Sequence, residues 1–146
     1  MEESFHYLLM INHAMLQKRL FSCLKDTGLT SGQPKVLDYL KEHDGMTQKD
    51  IAQACRIEPT SVTAVLLGME EKGIIERRML NGNRRSLHVF LTEKGRLLLD
   101  EVNQAFDTVE AQCFQGIGPQ ELEQFLTTFR KMRDNLKLPV QERRDG

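Results

Sequence analysis

A mainly α-helical chain with one small β-hairpin wing (α+β) is the fold class this sequence predicts, and three observations predict it. Residues 46–73 read as two short helices joined by a tight turn, residues 74–91 read as a hairpin, and the stretches on either side read as long amphipathic helices. Helix, turn, helix and hairpin in that order make a winged helix-turn-helix, expected over 30–92 within a single domain of 1–146. The long N- and C-terminal helices are expected at 3–26 and 92–137.

Residues 3–26 carry Leu8, Leu9, Ile11, Met15, Leu16, Leu20 and Leu24, more apolar surface than a three-helix winged domain covers by itself. Gly28 ends this helix. Thr30-Ser31-Gly32-Gln33 is expected as the capping box of the next, which carries Val36, Leu37 and Leu40 to about His43 and tolerates Pro34 in its first turn. After the Asp44-Gly45 turn, Thr47 caps a short helix with Asp50 three positions on. Pro59 suits the first position of the following helix, because its missing N–H would be unpaired there anyway. That helix runs to Lys72, buries Val62, Val65, Leu66 and Met69 at i, i+3, i+4 and i+7, and stops at Gly73.

The hairpin is announced by Ile74 to Met79, an Asn81-Gly82 turn, and Ser86 to Leu91 with Leu87, Val89 and Leu91 alternating. Thr92 then caps a long helix with Leu97, Leu98, Val102, Ala105, Phe106, Val109 and Cys113 on one broad face. Gly116 to Gly118 interrupts it, and Pro119 restarts a helix striped with Leu122, Phe125, Leu126, Phe129, Met132 and Leu136. The outer helices have two readings, the core of a monomer or the interface of a dimer.

A formal charge of −1 over 146 residues does not advertise a nucleic-acid binder, so the case rests on local charge. Lys72, Arg77, Arg78, Arg84 and Arg85 fall within residues 72–88 against the single acid Glu76. Polar and charged residues break the first helix, no long apolar run follows, and a cytoplasmic protein without a membrane partner is expected. The three cysteines Cys23, Cys55 and Cys113 are far apart and lack a C-x-x-C pairing, which argues against a disulfide framework or zinc site. Cys55 sits where a helix-turn-helix needs a small buried apolar residue.

Ile51-Ala52, Pro59 to Thr63, Met69 to Arg77, Arg84-Arg85 and Leu91 to Gly95 resemble, in order and at matching spacing, the MarR family of bacterial transcriptional regulators. The resemblance covers nearly the whole chain. It implies a homodimer in which the first, fifth and sixth helices of two chains interdigitate, and a small-molecule effector held where these helices meet the winged portion. Three positions depart from the family pattern: Asn83 stands where an acidic residue usually precedes the wing's Arg pair, Gly82 replaces a wing Arg, and Ala64 replaces a recognition-helix Arg.

A helix that enters the major groove needs small or polar residues on its outward face. Opposite the Val62 stripe stand Thr60, Ala64, Leu67 and Gly68, flanked by Ser61 and Thr63. Lys35, Thr47, Gln48 and Lys49, at the starts of neighbouring helices, are candidates for positioning on the DNA backbone. Arg56, just before the recognition helix, is a candidate for a stronger contact, with a phosphate favoured over a base. Arg84 and Arg85 would reach the minor groove; singly each could be a solvated hairpin charge, but two on a wing tip beside a helix-turn-helix favour DNA.

Enzyme chemistry finds no footing in the sequence. His6, His13, His43 and His88 are scattered outside any catalytic signature, no Gly-rich phosphate loop occurs, and the adjacent Glu70 and Glu71 point in different directions on a helix. His6, Met10 and His13 share a helix face that could line a pocket or be ordinary polar surface. The expected protein is a repressor that binds double-stranded DNA at a pseudo-palindromic operator as a homodimer, needs no cofactor or metal, and is released by an effector of unknown identity. The competing reading is a winged helix kept as a protein-interaction or assembly module without a specific DNA target.

Overall fold

The computed structural model describes residues 2–80, 82 and 86–138. The chain order is α1 (Phe5–Cys23), α2 (Gln33–Leu40), α3 (Gln48–Ala54), α4 (Pro59–Glu71), β1 (Ile75–Met79), β2 (Leu87–Leu91), α5 (Glu93–Cys113) and α6 (Pro119–Lys137). These fall into two compact units, residues 1–110 and residues 111–146. No helix among the described residues is long and apolar enough to cross a membrane.

The core of the first unit forms where apolar faces of several elements converge. Val36, Leu37 and Leu40 of α2, Ile51 of α3, Leu66 and Met69 of α4, Val89 of β2 and Val102 of α5 are fully buried together, and Leu20 and Leu24 join them from the end of α1. The α4 stripe is the one its periodicity predicts, with Val65 only half-buried. Cys55 is buried beneath the helix-turn-helix as a small hydrophobe, its Sγ 3.6 Å from the Lys35 carbonyl, and burial pushes its thiol pKa up. Cys23 and Cys113 are exposed.

Local chemistry sets most boundaries. The Thr47 hydroxyl accepts the Asp50 N–H at 3.2 Å and caps α3, while Ser4 caps α1 by accepting the Tyr7 N–H at 3.3 Å. The start of α2 differs from expectation. Only half of the capping box forms: the Gln33 Oε1 accepts the Thr30 N–H at 3.0 Å, but the N-cap is Gly32, with φ +85° and no side-chain cap. A Cβ on Gly32 would lie 3.2 Å from Cγ2 of Val65, so tight packing of this turn on α4 goes with the later helix start.

β1 and β2 pair antiparallel, with Ile75 opposite Leu91, Arg77 opposite Val89 and Met79 opposite Leu87. The segment before α3 extends this ladder: the Gly45 N–H donates to the Val89 carbonyl at 2.8 Å, and the Val89 N–H donates to Met46 at 2.9 Å. His88 Nδ1 lies 2.7 Å from the Gly45 carbonyl, which can only accept, so Nδ1 is the donor. Asp44 joins this loop to both β2 and α5, accepting the Leu91 N–H at 2.8 Å and the Arg96 guanidinium at 2.9 Å.

The first turn of α5 docks on the end of α4. The Thr92 hydroxyl donates to the Gly73 carbonyl at 2.7 Å and accepts the Gly95 N–H at 3.0 Å, and Lys94 Nζ donates to the Lys72 carbonyl at 2.8 Å. Gly95 packs so close that a Cβ there would stand 2.0 Å from the Ile74 carbonyl oxygen. This contact fixes the rotation of α5 about its axis. Gly95, Leu99, Val102, Ala105 and Val109 become its buried line, and Leu97 and Cys113, expected on the apolar face, are exposed. In the second unit Pro119 opens α6 at N1 as expected, but none of its apolar stripe is buried, and Phe125 and Phe129 stack at 5.2 Å.

Gly95→Ala is expected to destabilise the fold by about 1–3 kcal/mol, the range for overpacking a tight contact. Urea denaturation measures this. An unchanged midpoint would mean that α5 shifts freely on Ile74.

Candidate nucleic-acid interface

The outward face of α4 is built as the sequence suggests, with one exception. Thr60, Ser61, Thr63, Ala64 and Leu67 are exposed, whereas Val62, Leu66 and Met69 point inward. Gly68 does not belong to that face. The Gln33 amide of α2 lies 3.0 Å from where its Cβ would be, so Gly68 admits α2 rather than DNA. No side chain caps the α4 N-terminus, which starts at Pro59 after Glu58.

The flanking candidates divide into two kinds. Lys35 and Lys49 are exposed, as a phosphate contact requires. Thr47 and Gln48 are half-buried and already engaged. Thr47 caps α3, and the Gln48 amide donates through Nε2 to the Thr63 Oγ1 at 3.0 Å while its Oε1 lies 3.5 Å from Nη1 of Arg77.

Two cations of the local basic cluster, Lys72 and Arg77, are turned inward. Lys72 Nζ donates to the Gly28 carbonyl at 2.6 Å and to the Gln33 Oε1 at 2.7 Å, tying the end of α4 to the loop before α2. Arg77 grips Glu70 bidentately at 2.8 and 3.2 Å with only 17% of its side chain exposed, and this hydrogen-bonded pairing holds the Glu70 carboxyl below its usual range. That contribution to stability is present above the unfolded-state pKa of Glu70 and is lost as pH falls through the lower folded value. Arg78 pairs with Glu76 at 2.7 Å and lies 4.7 Å from the Phe90 ring centroid. Arg84 and Arg85 lie outside the described residues, as do Asn81 and Asn83. Residue spacing brought these cations together, but Glu70, Gln33 and the Gly28 carbonyl that claim them are distant in sequence or on another element.

Arg56 stands apart from every other backbone in the described residues. The Ile57 N–H donates to the Ala52 carbonyl at 2.9 Å and the Arg56 N–H to Gln53 at 3.3 Å, a helix ending that places Arg56 in the left-handed region at φ +54°. The other described residues with positive φ, Gly28, Gly32, Gly45, Gly73, Gly82 and Gly116, are all glycine. An L side chain in this conformation costs roughly 1–2 kcal/mol. The side chain retained there is exposed, in the turn between the two helices.

His6, Met10 and His13 are exposed on α1, and no group of three or more His, Cys, Asp or Glu suited to a metal occurs among the described residues. Sequence reasoning missed one pairing that shapes this face. Glu70 and Arg77 are separated by the α4–β1 turn, and only the folded hairpin makes them a pair.

Arg56→Gly is expected to raise stability by up to about 1 kcal/mol, the relief of strain less the extra unfolded-state entropy of glycine. A thermal melt would show about 2–4 °C. A lower melting temperature would mean that the Arg56 side chain has a structural role that outweighs the strain.

Residues 29–87 match the model of the MarR family. The S. aureus protein MepR, solved in a complex with DNA, is 31% identical, with 93% of this chain and 100% of that one covered and a TM-score of 0.81. MepR in its DNA-binding conformation is 30% identical over 92% of this chain and 100% of that one, TM-score 0.79. A MarR-family transcriptional regulator from Silicibacter pomeroyi is 27% identical over 93% of this chain and 90% of that one, TM-score 0.79. The match to these relatives spans 92–93% of this chain, and the chain belongs to the MarR family of transcriptional regulators.

Proposed function

We propose that this protein is a homodimeric repressor that reads a pseudo-palindromic operator through α4 and is released by a small-molecule effector. The observation that carries the DNA reading is the exposed row Thr60, Ser61, Thr63 and Ala64 on α4, flanked by the exposed cations Lys35, Lys49 and Arg56. The complex of MepR with DNA supports it. In this reading residues 30–92 bind DNA and residues 3–26 and 92–137 dimerise. Arg56 keeps its strained backbone because its guanidinium meets a phosphate, and Arg84 and Arg85 enter the minor groove.

From Pro59 to Glu71 the recognition helix holds no Arg, Lys, Asn or Gln, so it lacks the bidentate readers of guanine and adenine. Hydroxyls and the apolar contacts of Thr, Ala64 and Leu67 remain, and these favour thymine methyl groups and distributed readout. The operator is therefore an A·T-rich inverted repeat whose half-sites lie roughly 34 Å apart, one helical turn.

Support for the dimer comes from apolar surface left open within one chain. Phe5, Leu8, Leu9 and Met15 of α1 are 41–59% exposed, and Phe125 and Leu136 of α6 are 54% and 86% exposed. A second copy covers these faces, and interfaces of this obligate kind bury more than about 2,000 Å².

Selection from random and genomic DNA, run beside sedimentation, tests the proposal. A dimer at micromolar concentration that enriches A·T-rich inverted repeats is expected. A stable monomer rejects the palindrome, a G·C-rich consensus with invariant guanines rejects the weak-contact readout, and no enrichment favours a protein-interaction module. Replacing both Arg84 and Arg85 with Ala should weaken binding and flatten the log–log salt slope by at most roughly two units, with folding unchanged. Unaltered affinity would exclude the wing contact. An effector that releases DNA must itself bind more weakly to the operator complex by the same factor; a broad ligand screen without effect on affinity would indicate control by abundance.

A further inference from the structure

The side chains beneath the recognition face form a line whose hydrogen-bond polarity can be worked out from its one end. Arg77 of β1 has donors and no acceptor. Its Nε and Nη2 are taken by Glu70 at 2.8 and 3.2 Å, and its Nη1 lies 3.5 Å from the Gln48 amide oxygen. A guanidinium favours the oxygen of a neighbouring amide over its nitrogen, so the Gln48 amide turns Oε1 towards Arg77 and Nε2 towards Thr63. An amide nitrogen can only donate, hence the Thr63 Oγ1 accepts at 3.0 Å. Among the described residues the Thr63 hydroxyl donates to no protein acceptor, so its proton is available to a partner outside the chain on the exposed face of α4.

We propose that Gln48, oriented by the Glu70–Arg77 pair, is a positioning residue that presents the Thr63 hydroxyl to DNA as a hydrogen-bond donor. This rests on the DNA-binding reading and revises the part of Gln48 in it, from a backbone contact of its own to a strut. Each end of the amide has one partner within the protein, and the residue is half-buried. The partner of the Thr63 proton is an acceptor: N7 or O6 of guanine, N7 of adenine, O4 of thymine, or a phosphate oxygen. The amino groups of cytosine and adenine are donors and do not fit. Because Arg77 belongs to the wing and Thr63 to the recognition helix, the same line holds the stem of the wing against the element that reads the groove.

The test is a double-mutant cycle on operator affinity with Gln48→Ala and Thr63→Val, the wild-type operator first being selected from random DNA. Each single variant is expected to weaken binding roughly five-fold, the loss of one hydrogen bond of ordinary strength, and the double variant no more than either. Additive losses would show that Gln48 touches DNA itself and overturn the proposal, as would unchanged affinity in either single variant. Selection with the Thr63→Val protein separates the two acceptor sources. A base partner predicts a lost preference at one position per half-site, a phosphate partner predicts a uniform loss, and a lost preference for an exposed cytosine or adenine amino group would overturn the donor assignment. Gln48→Glu adds a second check, since a carboxylate accepts from both neighbours and turns the Thr63 proton inward. Its loss should exceed that of Gln48→Ala and should shrink in the Thr63→Val background; an equal loss in both backgrounds would refute the polarity. A wild-type protein that retains no DNA would remove the DNA-binding reading, and this inference with it, before any variant is made.

Discussion

The approach of α5 to the backbone carbonyl of Ile74 is the contact on which the placement of the recognition helix and the wing depends. Only a residue without a Cβ fits at position 95, and around it the Thr92 hydroxyl and the Lys94 ammonium close on the carbonyls of Gly73 and Lys72. On the other side the Lys72 ammonium reaches the Gly28 carbonyl and Gln33. The C-terminal end of α4 is thus clamped between α5 and the entry to α2. Its N-terminal half, with Thr60, Ser61, Thr63 and Ala64, is left facing solvent. The inner side of that half is still held, by buried Val62 and by the Gln48–Thr63 hydrogen bond, so that one face of the helix is exposed, as entry into a groove requires.

That clamp also explains why a chain with a net charge of −1 is not a weak version of a basic protein. Lys72, Arg77 and Arg78 serve the fold: one satisfies carbonyl and amide oxygens, one completes a bidentate pair with little exposed surface, and one lies over an aromatic ring. Removing the partner of a partly desolvated charge costs more than the pair itself contributes, so Glu70 and Arg77 belong together as a unit. Among the described residues Lys35, Lys49 and Arg56 are the exposed cations flanking the outward face of α4.

The apolar faces of the outer helices differ in how they are accounted for. In α5 Leu99, Val102 and Ala105 join the first unit's core, on the buried line that begins at Gly95. In α1 burial is confined to Leu20, with Leu24 buried just past its end, and the residues before them present Phe5, Met10 and Met15 to solvent. An amphipathic helix gains its stability from covering its apolar face. The open stretch of α1 therefore marks a surface that the isolated chain leaves unfinished.

Much of this protein was legible in the sequence because it is governed by local chemistry. Thr47 and Asp50 set the start of α3, Pro59 and Gly73 bracket α4, and the spacing of Val62, Leu66 and Met69 gives its buried stripe. Each of these depends on residues within one or two turns, which a linear reading contains. Tertiary structure alone decided the rest. The exclusion of Gly68 from the outward face, the burial of Leu99 in place of Leu97, and the capture of Lys72 and Arg77 all depend on partners from other elements, Gln33, Ile74 and Gln48 among them. Helical periodicity specifies which residues share a face but not which neighbour that face meets, and the charge of a side chain does not reveal whether water, DNA or the protein itself will neutralise it.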